Sequence, residues 1–218
     1  GMFNYDELRL RMLRVPYVIS GSGKTVPEDT GTYPKSALVT TDTEIESQSM
    51  VDYLCSCGHK RIAFITSGDE GLGRCHLNGY KRSLEKNGLE YDENLIIRLK
   101  PGKRIYTIEN GYNCTCELLK SGVDFSCIYA ISDTLAVGAC RAIIDSGKRV
   151  PEDYCVAGAD GQDIAEYYHP SITTLKYPRV ETALQSVRTL FDLIDRKKVV
   201  KRQILSGTLI ERESTRKL

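Results

Sequence analysis

Short apolar runs alternate with longer amphipathic stretches along most of this chain, and the clearest case spans Cys127 to Leu175. CIYAI (127–131) is long enough for a buried strand and too short for a helix. Ser132-Asp133 then reads as a helix N-cap, and Leu135, Ala136, Ala139, Ala142 and Ile143 recur at helical spacing as far as Gly147. VPED (150–153) predicts a turn, YCVAG (154–158) a second strand, and Ala159-Asp160-Gly161 its polar end. Strands alternating with helices in this rhythm predict a parallel sheet. Ligands of such sheets gather beyond the carboxyl ends of the strands, where Ser132 and Asp160 fall.

Outside that stretch, the pattern predicts a short amphipathic helix over 3–14, a strand in VPYVIS (15–20) and a Gly/Thr/Pro-rich loop over 21–34. A strand in SALVTTD (36–42) and a helix over 43–57 follow, then a strong strand in RIAFITS (61–67). Residues 74–87 predict a helix stopped by Gly88, NLIIRL (94–99) a strand, 100–103 a turn, and 108–120 a helix closed by Gly122. Near the end, 179–196 predicts an amphipathic helix with Ala183, Val187, Leu190 and Ile194 inward. QILSGTLIER (203–212) reads as one broken strand or two short ones. No internal repeat or low-complexity tract interrupts the series.

Composition narrows the function more than the fold. The chain has 218 residues and 41% apolar content, enough to fill a core. With 30 basic against 29 acidic residues the net charge is +1, which argues against a chain that grips nucleic acid through its own field. RKKVVKR (196–202) is the one basic cluster and reads as a solvated loop. No apolar run reaches membrane length and no charged-then-apolar leader is present. Eight cysteines are too sparse for a disulfide framework and read as buried, reduced thiols of a cytosolic protein.

Several chemistries fail on spacing. Cys55-Ser56-Cys57 and Cys114-Thr115-Cys116 would point to nearly opposite sides of a helix, and no histidine has zinc-finger spacing, so neither metal nor cofactor is expected. SGDEGLGR (67–74) lacks both the dinucleotide glycine order and the P-loop Lys-Ser/Thr, and Asp69 and Glu70 would repel an anion, so it reads as a mobile rim loop. Cys75 and His76 are sequence neighbours and do not face each other on a helix. His59 reads as a helix-end residue on the negative pole, and no nucleophile–base pair can be assembled for an enzyme.

Six motifs in order carry a resemblance: GHKRIAFI (58–65), NGY (78–80), SDTLAVGACRAI (132–143), RVPEDYCVAGADG (149–161), PSITTL (170–175) and GTLIEREST (207–215). Together they resemble the effector-binding core of the LacI/GalR family of bacterial transcription regulators, over most of the chain. That resemblance implies an α/β, periplasmic-binding-protein-like fold of two Rossmann-like parallel-sheet subdomains joined by crossover strands. The crossovers would fall near 36–42, 175–178 and 201–206. Residues 1–40 with 178–202 would form a partial N-terminal subdomain, and 41–177 with 203–218 the C-terminal one. Family chains open with a helix-turn-helix headpiece, a hinge and several strand–helix units before the segment matching VPYVIS, and the sequence here shows none of these. Self-association, exchange of an element, or a non-family arrangement of residues 1–35 is the expected compensation.

The same resemblance implies an effector site. Asp160 matches the aspartate that accepts from an effector hydroxyl or ring NH, and Tyr106 the aromatic that stacks on the effector ring. Tyr177 falls in the segment after PSITTL and joins the candidates. Two positions depart from the pattern. His76 stands where most sugar- and purine-binding members carry an arginine, with Arg74 the nearest guanidinium. For His76 the plainer reading is a surface or N-terminal helix residue. Ser132 stands where the family has Asn, and Ser20-Gly21 replace an expected Asp. The implied protein is a cytoplasmic, homodimeric sensor of a small, sugar-like molecule that reaches operator DNA only through a headpiece. A solute-binding protein of an uptake system, or a remnant that binds no effector, is the alternative.

Overall fold

A computed structural model of the chain describes residues 13–21, 36–100, 102 and 104–218. The helix expected over 3–14 and the loop over 21–34 lie almost wholly outside them, as does half of the turn at 100–103. Two compact units separate by their internal contacts: the described residues up to Asp42 with Pro178–Gly207, and Thr43–Tyr177 with Thr208–Leu218. Each unit is built of α-helix on a mostly parallel β-sheet, the α/β class the sequence predicts.

In the first unit, β1 (Tyr17–Ser20), β2 (Ser36–Thr41) and β8 (Arg202–Leu205) make a parallel sheet in the order β1-β2-β8. Ala37, Leu38 and Val39 of the central strand are fully buried. Helix α6 (Arg179–Ile194) packs on β1 and β2. Its orientation corrects the sequence reading. Thr182, Ser186, Thr189 and Leu193 face inward, while Val187 and Ile194 lie outward. Hydrogen bonds hold that polar face: Ser186 Oγ donates to Ser20 Oγ at 3.0 Å, and Gln203 Nε2 to Thr189 Oγ1 at 3.0 Å.

As a result Val180, Leu184, Val187, Phe191 and Ile194 are 52–68% exposed, at the four-three spacing of a coiled-coil seam. An apolar stripe of that length in water favours association. The purified chain is expected to gain mass with concentration in sedimentation velocity, and Val187→Glu with Phe191→Glu to suppress the gain. If the distribution does not respond to the double substitution, the stripe takes no part.

The second unit holds the core. β3 (Ile62–Thr66), β4 (Ile96–Arg98), β5 (Cys127–Ala130), β6 (Cys155–Asp160), β7 (Thr173–Lys176) and β9 (Thr208–Ile210) form one sheet in the order β4-β3-β5-β6-β7-β9. All pairs are parallel except β7 with β9. β3 and β5 are buried at every position, the mark of a sheet covered on both faces, which is why they read as unbroken apolar runs. Helices α1 (Thr43–Ser56) and α2 (Gly71–Lys86) pack as one pair, α3 (Ile108–Lys120) and α4 (Asp133–Asp145) as another, and the short α5 (Asp163–Tyr167) lies against α4. Tyr80, Phe64 and Tyr129 stack with ring centroids 5.0 and 5.1 Å apart.

Three local readings change. Helix α2 begins at Gly71 rather than Arg74, so half of the glycine-rich loop is helix. The segment at 94–99 opens as a 3₁₀ turn, Glu93–Leu95, before β4, because the Asp92 side chain caps it by accepting from the Asn94 N–H. His59 does close α1, its N–H donating to Leu54 O at 3.2 Å, but it is 1% exposed, with Nδ1 2.9 Å from Ser126 Oγ. Burial pushes its pKa down, so it is a neutral packed ring rather than a cation on the helix pole. The tail after β9 is sewn into the sheet. Ser214 Oγ donates to Val156 O at 2.6 Å and accepts from Thr173 N–H at 2.9 Å.

Candidate functional site

Strands β3, β5, β6 and β7 run into Thr66-Ser67, Ser132-Asp133, Asp160 and Lys176-Tyr177. Parallel pairing brings these ends to the same edge of the sheet, with Asp160 opposite Lys176 in register. Ser132 caps α4: its Oγ accepts from Leu135 N–H at 3.3 Å and lies 3.1 Å from Thr134 Oγ1. Thr134 Oγ1 in turn donates to Tyr106 O at 3.2 Å, tying the segment before α3 to the start of α4. The half-buried Tyr106 has its pKa raised by burial, with Ser67 bonding to the hydroxyl in opposition and the charge of Asp160 adding. Ser132, Tyr106 and Asp160 therefore share one neighbourhood. Tyr177 joins it, its pKa driven well up by burial and then by Tyr129, Glu46, Asp160 and Asp133.

Asp160 is half-buried at the last position of β6, with φ at 107°, a backbone region that non-glycine residues rarely adopt. Gln162 Nε2 donates to its Oδ2 at 2.9 Å. Beside it Asp133, which the sequence reading treated only as part of an N-cap, is fully buried. Asp133 Oδ1 accepts from Thr174 Oγ1 at 2.5 Å and Oδ2 from Gln162 N–H at 2.6 Å. Burial pushes its pKa up to about 6, opposed by those two bonds and by Arg212, and reinforced by the charge of Asp160.

The two basic candidates lie differently. His76 is 6% exposed and packs in α2 where that helix meets α1, with Ser47 Oγ donating to its carbonyl at 2.8 Å. Burial takes its pKa down to about 4, so the ring is neutral near pH 7. That corrects the reading of a surface residue, and it cannot supply the charge of an arginine. Arg74 is exposed two residues earlier, at the end of the first turn of α2. All eight cysteines are free, and five of them are buried. Among the described residues no group of three or more His, Cys, Asp or Glu side chains is placed to hold a metal ion.

Asp133, Thr174 and Gln162 are the residues that sequence reasoning missed. Their partners stand 29 and 41 positions apart along the chain, and each has an ordinary local role. An invisible contact at long range leaves no periodic signal.

Comparison with known proteins gives a consistent result. The periplasmic binding protein-like domain profile matches residues 51–215. The chain is 40% identical over 146 residues to the HTH-type transcriptional regulator MalR of Clostridium butyricum, covering 67% of this chain and 42% of that protein. It is thus similar to a relative of which it spans less than half. A solved complex of the transcriptional regulator CelR with cellobiose superposes at a TM-score of 0.78, with 32% identity, over 92% of this chain and 59% of that one. A LacI-family transcriptional regulator from Enterococcus faecium with bound ribose superposes at 0.74, with 26% identity, over 97% and 83%.

Proposed function

This chain belongs to the periplasmic-binding-protein-like domain family, among the LacI-type transcriptional regulators, and from that membership we propose that it is the effector-sensing portion of such a regulator, taking a sugar at the carboxyl ends of the β-strands in its second unit. The observation that supports this is Asp160 held beside Tyr106 and Tyr177. A carboxylate accepts several hydroxyl donors at once, and an aromatic ring covers the apolar C–H face of a pyranose or furanose. The buried, neutral His76 and the negative charges of Asp160 and Asp133 disfavour a phosphorylated effector. The sugars in the two related complexes point the same way.

In this reading the chain does no chemistry. Sugar binding shifts a conformational equilibrium by its differential affinity for two states, and the shift is read by DNA-binding segments of a longer regulator acting as a homodimer in the cytoplasm. No helix among the described residues is long and apolar enough to cross a membrane.

A thermal-shift screen of neutral sugars, sugar phosphates and nucleosides tests the proposal. A true effector at a hundred times its Kd stabilises by about 2.7 kcal/mol, and the response should vanish in Tyr106→Ala and Asp160→Ala. Hits that survive both substitutions would show the site to be elsewhere. A flat response across the sugar panel would remove the sugar assignment.

A further inference from the structure

We propose that Asp133 is a positioning residue for Asp160, fixing the Asp160–Gln162 turn through the Thr174 hydroxyl and the Gln162 amide and so setting how the acceptor is presented. The inference rests on the reading of Asp160 as an effector contact, and extends it to groups that never meet the effector.

The turn needs such support. Asp160 and Gly161 have φ of 107° and 63°, two successive residues in positive-φ space, and only the second is a glycine. A non-glycine residue persists there when its surroundings over-determine it. Here four hydrogen bonds do so. Gly161 N–H donates to Thr174 Oγ1 at 3.3 Å, and the Thr174 hydroxyl in turn donates a hydrogen bond to Asp133 Oδ1. Gln162 N–H donates to Asp133 Oδ2, while the Gln162 side chain donates to Asp160 itself. Both oxygens of one carboxylate thus hold two elements, the turn and β7. Gly158 leaves room for it, because a Cβ at that position would lie 2.5 Å from Asp133 Oδ1.

Among the described residues the charged and titratable groups near Asp133 are Asp160 from β6, Arg212 from the tail, Tyr129 from β5 and Tyr177 just past β7. Arg212 is itself engaged by Glu166 at 3.3 Å and by Ile172 O at 3.0 Å. Protonating Asp133 turns one of its oxygens from acceptor to donor, so the Thr174 hydroxyl must reverse and the hydrogen bonds of the turn rearrange as pH falls through about 6. Fold stability runs the other way. A carboxylate with a raised folded pKa contributes stability that is fully present below its unfolded value and is lost as pH rises through the folded one. A merely structural aspartate would move only the second quantity.

The test is a pH series of amide spectra from 7.5 to 4.5 on the whole chain, as wild type, Asp133→Asn and Thr174→Val, with cellobiose affinity measured alongside. The Gln162 side-chain amide, bonded to Asp160, reports the aspartate with no sugar present. In the wild type the Gly161 and Gln162 amides should titrate near 6. Asp133→Asn, whose Oδ1 can accept from Gln162 N–H and whose Nδ2 can donate to Thr174, should keep the turn and abolish that titration. Thr174→Val should shift the Gln162 side-chain signal and speed Gly161 exchange about tenfold or more. Cellobiose affinity should hold in Asp133→Asn and fall by up to about tenfold in Thr174→Val. Titration that persists in Asp133→Asn, or a Gln162 side chain unmoved in Thr174→Val, overturns the proposal. If the amide pattern holds while no sugar binds, the positioning stands and the effector reading fails. If sugars bind without the pattern, the reverse follows.

Discussion

Gly138→Ala is expected to lower the melting temperature of the protein by roughly 5–15 °C. Helices α3 and α4 cross with their backbones in contact. A Cβ at Gly138 would lie 2.1 Å from Ile108 O and 2.7 Å from Tyr112 N, and the reciprocal Gly111 has Leu135 O at 2.2 Å. These are main-chain atoms of a neighbouring helix, so nothing local can rotate away. The pair must separate, opening voids beside Leu135 and Ala139, which are fully buried. Overpacking of this kind costs about 1–3 kcal/mol, and the loss of core contact adds to it. For a chain of this size each kcal/mol is worth about 2–4 °C. Gly102→Ala is the control, since its Cβ would meet only Ile105 Cγ2 at 3.7 Å, and should shift melting by less than a degree or two. Equal effects from the two substitutions would show that the helix crossing is looser than described.

The second large effect concerns Asp160. Asp160→Ala should abolish detectable sugar binding, and Asp160→Asn should weaken it by about 10- to 100-fold. A hydrogen bond to a charged acceptor is worth about 1.5–3 kcal/mol, and the amide keeps one accepting oxygen. Asp160→Gly separates binding from folding. At φ of 107° glycine is the comfortable residue, and relief of about 1–3 kcal/mol of backbone strain offsets the loss of the carboxylate's contacts, the bond from Gln162 among them. Its melting temperature should therefore hold or rise while binding disappears. Titration calorimetry on all three variants, with melting curves on the same samples, reads both quantities. A glycine variant that melts well below wild type would show that the strain is absent. One that still binds would show that the carboxylate is not a contact.

Placing an aspartate where glycine is easier fits a position kept for what its side chain does. Ser132 illustrates the opposite case. It lies at the same edge of the sheet, yet its hydroxyl is occupied in capping α4, and the residue is 3% exposed. Its expected role as an effector contact is thus the least supported of those at the strand ends. Tyr106 and Tyr177 are only half-buried.

Much of this was legible in the residues themselves. The unbroken runs IAFIT and CIYA are strands because both sheet faces are covered, and the spacing of Leu135, Ala136, Ala139 and Ile143 fixes α4. The alternation of these elements sets a parallel sheet, and a parallel sheet sets where polar ends collect. From that alone Asp160 and Ser132 could be named, because each sits at a strand end that local pattern marks, whereas Tyr106 came only from the family resemblance.

What local pattern does not hold is which face of an element finds a partner. The stripe of α6 has the period of a buried helix face, but the three-stranded sheet it meets takes Thr182, Ser186 and Thr189 instead, and Val187 is left in water. Period is a property of one segment, whereas burial belongs to two. The same distinction separates His76, whose ring lost its charge to a helix crossing, from the exposed residue its neighbours suggested. It also separates Asp133 from an ordinary first-turn acid. Its chemistry is set by Thr174 and Gln162, which only the folded sheet brings within 2.6 Å.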